Sequence, residues 1–400
     1  MTASNSAQQF DAVVVGGGPA GATAATDLAD KGLSVMLLDK AGRIKPCGGA
    51  IPPAAMEEFG IPDALLKAHA TSARMIAPSG TTVDMPIDGG YVGMVDREEF
   101  DEWLRERAAT HGATRVTGSF KRITRDTDDT ALVHYEDVQG EAHVVRARAI
   151  IGADGARSAV GRQTIPGADR IPYVAAYHEI IKAPDHDLGG DAFDGNRCDV
   201  YYQGELSPDF YAWIFPHGDT VSVGVGSARK GFSLRGAVDE LREKTGLTAT
   251  DTVRREGAPI PLKPLKRWDN GRDVVLAGDA AGIVAPASGE GIYYALTGGR
   301  LAADAVAELC VTGDVKALKT ARNRFMKAHG RVFWVLGIMQ KFWYSSDRRR
   351  ERFVSMCRDP DVQYLTWQAY MHKKLVKAKP AAHVRIFFKD LAHLVGIAPT

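Results

Sequence analysis

The chain has 400 residues, 45% hydrophobic and 25% charged with 42 glycines, which excludes a disordered or fibrous protein and is long enough for two or three regions around a large ligand site. Its net charge of +1 hides an asymmetry: from Ala321 onward there are 16 Lys and Arg against 5 Asp and Glu, and before it 34 against 44. A basic tail on an acidic body points to a nucleic acid or an anionic membrane surface, and the absence of any recognition module excludes the nucleic acid.

In chain order, Phe10-Asp-Ala-Val-Val-Val15 reads as a buried parallel strand, Ala20 to Lys31 as an Ala-rich helix ending at Gly32, and Leu33 to Leu38 as a second strand closing on Asp39. Glu98 to His111 predicts a helix with Phe100, Leu104 and Ala108 on one face, and Val144 to Ile151 a strand running into Gly152-Ala-Asp-Gly155. Residues 166–267 alternate differently: Cys198–Gln203, Phe210–Phe215 and Thr220–Val225 suit an antiparallel sheet, to which 71–95 are expected to add strands. Asp273–Gly278 returns to the character of the opening strand, and beyond 311 the pattern is helical. The expected fold is therefore α/β: a Rossmann-type domain from 1–70, 96–165 and 268–310, an antiparallel-sheet substrate domain from 71–95 and 166–267, and a basic, aromatic helical region from 311–400.

Cys47, Cys198, Cys310 and Cys357 are far apart with no C-x-x-C pair, so disulfides and a zinc site are not expected and a reducing cytosol is. The first ten residues show neither a basic nor an apolar stretch, so no signal peptide is expected. No run approaches the roughly 20 apolar residues of a spanning helix.

Gly16, Gly18 and Gly21 form G-x-G-x-x-G between the first strand and its helix. Gly16 permits the tight turn, Gly18 lets backbone approach a pyrophosphate, and Gly21 lets the helix pack closely. The helix start at Pro19-Ala20 offers N–H donors and positive dipole to phosphates. Asp39, followed by Lys40, is placed to accept from a ribose hydroxyl. A second turn follows the Val275–Leu276 strand and carries Gly278-Asp279, and beyond it lie Gly289, Gly291 and Ile292 at the head of a long helix.

These motifs resemble, in order, the flavoprotein family that includes the aromatic hydroxylases: the glycine fingerprint, the Asp-Gly motif at Asp154-Gly155, and the Gly-Asp motif at Gly278-Asp279. The resemblance implies bound FAD, with Asp279 on its ribityl chain, the helix start at Ile292 facing the isoalloxazine, and Arg97 near the phosphates. Two further elements narrow it. Lys45-Pro46-Cys47-Gly48-Gly49 offers glycines beside which a planar ring can lie, and Pro208-Asp-Phe-Tyr211-Ala-Trp213-Ile-Phe215-Pro216 carries three aromatics at alternate positions. Both are similar to the geranylgeranyl reductases, in particular their bacteriochlorophyll-pathway branch, across essentially the whole chain. That resemblance implies saturation of isolated alkenes of a geranylgeranyl chain with NADPH as reductant. Archaeal-type lipid or menaquinone reduction and flavin monooxygenation are the alternatives.

Tyr211, Trp213 and Phe215 project from one face of a strand, as an isoprenoid-binding wall or as a plain core strand. An isolated alkene has no carbonyl to stabilise charge, so a proton donor must lie beside it. Cys47 is the first candidate for that catalytic role, Tyr211 the second and His217 a third. In the tail, Trp334, Phe342, Trp343 and Tyr344 stand near Arg348, Arg349, Arg350, Arg352, Lys373, Lys374, Lys377 and Lys379. This is membrane-interface chemistry, or else a solvated helical cap. A cytoplasmic enzyme held peripherally at the photosynthetic inner membrane is expected; oligomeric state is not legible.

Overall fold

Gln9–Val15 is a strand whose last four residues are all buried, as a parallel strand covered on both faces must be. The computed structural model describes residues 7–40, 42, 44–184 and 193–373. The chain forms two compact units, Met1–Lys45 with Arg97–Tyr173 and Pro259–Gly337, and Pro46–Asp96 with Val174–Ala258 and Ile338–Thr400.

In the first unit the parallel order is Thr114–Arg125, Val35–Asp39, Gln9–Val15, Ala142–Gly152, Val274–Leu276. Ala131–Asp137 runs antiparallel to the far halves of Thr114–Arg125 and Ala142–Gly152, forming a meander of which the sequence patterning showed only the last strand. Pro19 starts the helix Pro19–Asp30, where its missing N–H costs nothing. The 21-residue helix Ile292–Thr312 crosses it so closely that a Cβ on Gly299 would run into the carbonyl oxygen of Ala20. Arg97–Thr110 is helical as expected, and Phe100, Leu104 and Ala108 are fully buried. Burying Phe100 and Leu104 contributes roughly 1.5–3 kcal/mol each.

The second unit is built on a seven-stranded sheet ordered Thr252–Pro261, Tyr173–Lys182, Thr220–Ser227, Ala212–His217, Arg197–Tyr201, Ser72–Ile76, Thr82–Pro86. Arg197–Tyr201 runs parallel to Ser72–Ile76, whereas Tyr173–Lys182, Thr220–Ser227, Ala212–His217 and Arg197–Tyr201 pair antiparallel in that order, as do Ser72–Ile76 and Thr82–Pro86. One face carries Ala212, Ile214, Val221, Val223 and Val225, packed on Ala237, Val238 and Leu241 of the helix Leu234–Lys244. The expectation that 71–95 joins this sheet holds for its first two strands and fails for Val92–Val95. After the turn at Gly89, where φ is +68°, that strand pairs instead with Ala50–Ile51 and Leu66–Ala70.

Among the described residues three helices follow residue 318: Lys319–Trp343, Asp347–Met356 and Pro360–His372. The basic, aromatic tail does not present all its charges and rings to solvent. Trp343 and Tyr344 are buried, and so is Arg350. Arg350 donates to the carbonyls of Ser207 at 3.2 Å, Pro208 and Tyr344, so this charge clamps the loop leading to Tyr211. Lys373 is buried beside the Tyr370 ring, while Lys374, Lys377 and Lys379 lie outside the described residues.

Candidate active site

In the first unit the three glycine and acid motifs meet at the head of Pro19–Asp30. Gly16 has φ of +105°, and a Cβ there would run into the carbonyl of Ala153 and come within 2.9 Å of the amide nitrogen of Asp154. The fingerprint turn and the Asp-Gly turn are thus in backbone contact. Gly278 stands on the other side, where a Cβ would come 2.8 Å from the Cβ of Ala20. A Cβ on Gly18, by contrast, would meet no heavy atom within 4 Å. The open face at Gly18, next to the first amides of a 12-residue helix, fits a pyrophosphate.

Asp39 lies at the end of its strand, half-buried, with Lys40 exposed beside it. The residue that orients it was not singled out in the sequence. Arg105, from the third turn of Arg97–Thr110, donates to Oδ2 of Asp39 at 3.2 Å and to the carbonyl of Gly17 at 3.3 Å. Arg97, expected near the phosphates, is buried and donates through Nε and Nη2 to the Asp101 carboxylate at 2.8 and 2.6 Å. Asp154 accepts from Oγ of Ser158 at 2.5 Å and from the amides of Ala159 and Val160 at 2.6 and 3.1 Å, capping the short helix Ala159–Thr164. Burial pushes its carboxyl above the ordinary range against those three donors. Gly155 makes the following turn with φ of +84°.

Asp279 is buried, and Nζ of Lys45 closes on its Oδ2 at 2.5 Å. That partner, 234 residues away in sequence, leaves no local signal. Gly291 caps the helix Ile292–Thr312, and a Cβ there would stand 3.8 Å from Oδ1 of Asp279; Gly289 turns the chain two residues earlier. A carboxylate beside a helix N-terminus, with a lysine on its other oxygen, suits a polyhydroxyl chain lying under the helix dipole.

The second unit brings the Cys47 turn onto the aromatic strand. A Cβ on Gly48 would come 3.0 Å from the ring of Phe215, and one on Gly49 would lie 2.5 Å from Nε2 of His217 and run into the Val95 carbonyl. The half-buried Cys47 accepts at Sγ from the amide of Gly49 at 3.4 Å. Tyr211, Trp213 and Phe215 do share one face, with ring centroids 5.9 and 6.1 Å apart in sequence order. Tyr211 is buried just ahead of the strand, and burial raises its phenol well above the ordinary range, with Tyr344 and Cys47 adding to the effect.

His217 is buried with Nδ1 3.2 Å from the Phe215 carbonyl, and burial lowers its pKa from 6.5 to about 4. It is neutral near pH 7, so Nδ1–H donates to that carbonyl and no imidazolium is present to act as the acid. The unfolded chain takes up a proton that the folded one refuses between about pH 6.5 and 4. Stability therefore falls as pH drops through that window, by about 3 kcal/mol in all. His217→Gln is expected to flatten the pH dependence of the urea midpoint between those limits. An unchanged slope would show that His217 is not the group responsible.

Residues 9–178 match the FAD binding domain family. The chain is 57% identical to the geranylgeranyl diphosphate reductase of Rhodobacter capsulatus, over 98% of this chain and 99% of that one. It is 36% identical to the chloroplastic geranylgeranyl diphosphate reductase of Oryza sativa, over 98% of this chain and 87% of the relative. Its fold matches the crystal structure of a geranylgeranyl bacteriochlorophyll reductase-like protein of Thermoplasma acidophilum, with a TM-score of 0.80 at 22% identity, over 94% of this chain and 99% of the other. Among the described residues no helix is long and apolar enough to cross a membrane. The chain is an FAD-domain oxidoreductase and belongs to the geranylgeranyl diphosphate reductase family.

Proposed function

We propose that this protein saturates isolated double bonds of a geranylgeranyl chain, carried on a diphosphate or on bacteriochlorophyll, with NADPH as reductant, as a step of (bacterio)chlorophyll biosynthesis. The observation that carries the reading is the wall of Tyr211, Trp213 and Phe215 contiguous with the Cys47–Gly49 turn. Each CH₂ buried on such a wall is worth about 0.8 kcal/mol, which suits a long apolar chain. Bound FAD supplies the two-electron reduction.

The chain's own residues divide the remaining work. Gly16, Gly18, Pro19, Ala20 and Gly21 cradle the pyrophosphate, Asp39 held by Arg105 takes the ribose, and Asp279 held by Lys45 takes the ribityl hydroxyls. Asp154, Gly155 and the buried Arg97–Asp101 pair shape the surrounding turns, and Gly289, Gly291 and Ile292 aim a helix dipole at the ring. Cys47 holds the proton at Sγ that the alkene carbon needs. Anaerobic addition of geranylgeranyl diphosphate to the NADPH-bleached holoenzyme is expected to restore the flavin absorbance. Bleached flavin that stays bleached with every isoprenoid offered, and recolours only with O₂, would favour the monooxygenase reading.

We assign the proposed membrane contact to one helix. On Lys319–Trp343 the exposed residues include Lys327, Arg331, Trp334, Ile338 and Lys341, with Trp334 69% and Ile338 48% exposed. An amphipathic ring and an aliphatic chain between cations suit an anionic bilayer surface. Trp334→Ser with Ile338→Ser is expected to lower co-sedimentation with phosphatidylglycerol vesicles about tenfold, roughly 1.4 kcal/mol. Unchanged partition would remove the membrane from the account.

A further inference from the structure

Three neighbouring strands of the second unit place Trp213, Gly224 and His178 in one row, since Trp213 pairs with Gly224 and Gly224 with His178. Residues paired in this way share a face of the sheet. A Cβ on Gly224 would run into the Trp213 ring and come 2.6 Å from the Cβ of His178. The indole therefore covers the bare backbone of the middle strand at Gly224, with its ring centroid 6.3 Å from that of the imidazole.

The indole nitrogen has one buried partner. Nε1–H of Trp213 donates to Oγ of Ser222 at 3.1 Å, and Ser222, fully buried, sits opposite Phe215 in the same strand pair. Oγ of Ser222 is 2.9 Å from Nδ1 of His178, and Nε2 of His178 is 3.0 Å from Oε2 of Glu256 on the edge strand. The other oxygen of Glu256 faces Nε of Arg254 at 2.5 Å, and Arg254 also faces Asp96 at 3.5 Å. An indole N–H can only donate and a carboxylate can only accept. One assignment of hydrogens satisfies the row: Trp213 donates to Ser222, Ser222 to Nδ1 of neutral His178, and Nε2–H of His178 to Glu256.

An indole N–H does not ionise in the range where enzymes work, so this row cannot feed protons to the site. What it does is fix a ring. An indole held by its one polar atom, over a glycine floor, loses its freedom to turn about χ2, and buried networks whose members are all satisfied hold one geometry.

We propose that Ser222, His178 and Glu256 are positioning residues that lock the Trp213 indole over Gly224, and with Gly224 set the depth of the surface against which the isoprenoid chain lies. This rests on the reading of Tyr211, Trp213 and Phe215 as the isoprenoid wall. Loosening the indole lets it swing into the space the chain occupies, so affinity for the long substrate falls while the chemical step is little changed.

The test uses the FAD-loaded enzyme and geranylgeranyl diphosphate, reading KM, kcat and the near-ultraviolet circular dichroism of the indole. Ser222→Ala is expected to raise KM about tenfold, change kcat less than about threefold and weaken the indole dichroism. Trp213→Phe, which keeps an aromatic ring but no N–H, is expected to raise KM similarly, and the double variant to add little to either. Should Ser222→Ala not fold, the comparison moves to the edge strand: Glu256→Leu removes the acceptor of Nε2–H, and Glu256→Gln, which retains one, is expected to recover most of the lost affinity. Trp213→Ala separates the two readings. If it leaves KM unchanged, the isoprenoid wall itself is wrong. If it raises KM while Ser222→Ala and Glu256→Leu leave KM and dichroism unchanged, the wall stands and the positioning row is overturned.

Discussion

Gly16→Val is expected to yield protein without flavin. At φ of +105° an L side chain is strained wherever it points, and here its Cβ would collide with the Ala153 carbonyl rather than with a flexible side chain. Relieving the collision requires parting the fingerprint turn from the Asp154 turn, which would dismantle the proposed phosphate cradle. FAD affinity should fall at least about a hundredfold, roughly 3 kcal/mol, and the flavin-free protein should also melt at a lower temperature. Gly18→Ala is the discriminating companion. Its φ is −75° and its Cβ meets nothing in the protein, so the flavin-free fold should melt as the wild type does while FAD binding is lost through crowding of the pyrophosphate. Flavin content after purification and the melting temperature of the stripped proteins check both. Normal flavin in Gly18→Ala would move the pyrophosphate away from this turn.

The second large effect is expected at Cys47. Sγ is half-buried on a turn that touches Phe215 and His217, whereas the Tyr211 phenol is buried and held well above its ordinary pKa, which makes it a poor proton donor. His217, neutral with its pKa near 4, carries no ready proton either. Cys47→Ala should therefore lower the single-turnover rate of alkene reduction by about 10²–10⁴, while Tyr211→Phe, which keeps the wall, should cost less than about tenfold. Rapid-quench kinetics on pre-reduced enzyme measures both rates. Reversal of the two effects would assign the proton to Tyr211.

What could be read in the sequence was whatever depends on local periodicity. The strand Gln9–Val15, the Pro19 helix start and the face of Phe100, Leu104 and Ala108 each declare themselves within a few residues. So does the shared face of Tyr211, Trp213 and Phe215. Periodicity names a face but not what covers it. Lys45 reaches Asp279 across 234 positions and Arg105 reaches Asp39 across 66, and neither lysine nor arginine differs locally from a solvated one. Arg350 sits in a run of arginines that reads as a surface, yet it is the buried one that grips the Ser207 and Pro208 carbonyls. The small residues opposite the wall, Ser222 and Gly224, were visible as an alternation with valine. Their meaning needed the register that sets Gly224 under the Trp213 ring.

The most direct test of the central claim is product analysis under nitrogen. The FAD-loaded enzyme, NADPH and either geranylgeranyl diphosphate or geranylgeranylated bacteriochlorophyll should give products heavier by whole units of H₂, with NADPH consumed in equal number. An unchanged isoprenoid mass with both substrates, or a product that gains oxygen only when air is admitted, would contradict the assignment of this protein as an alkene reductase.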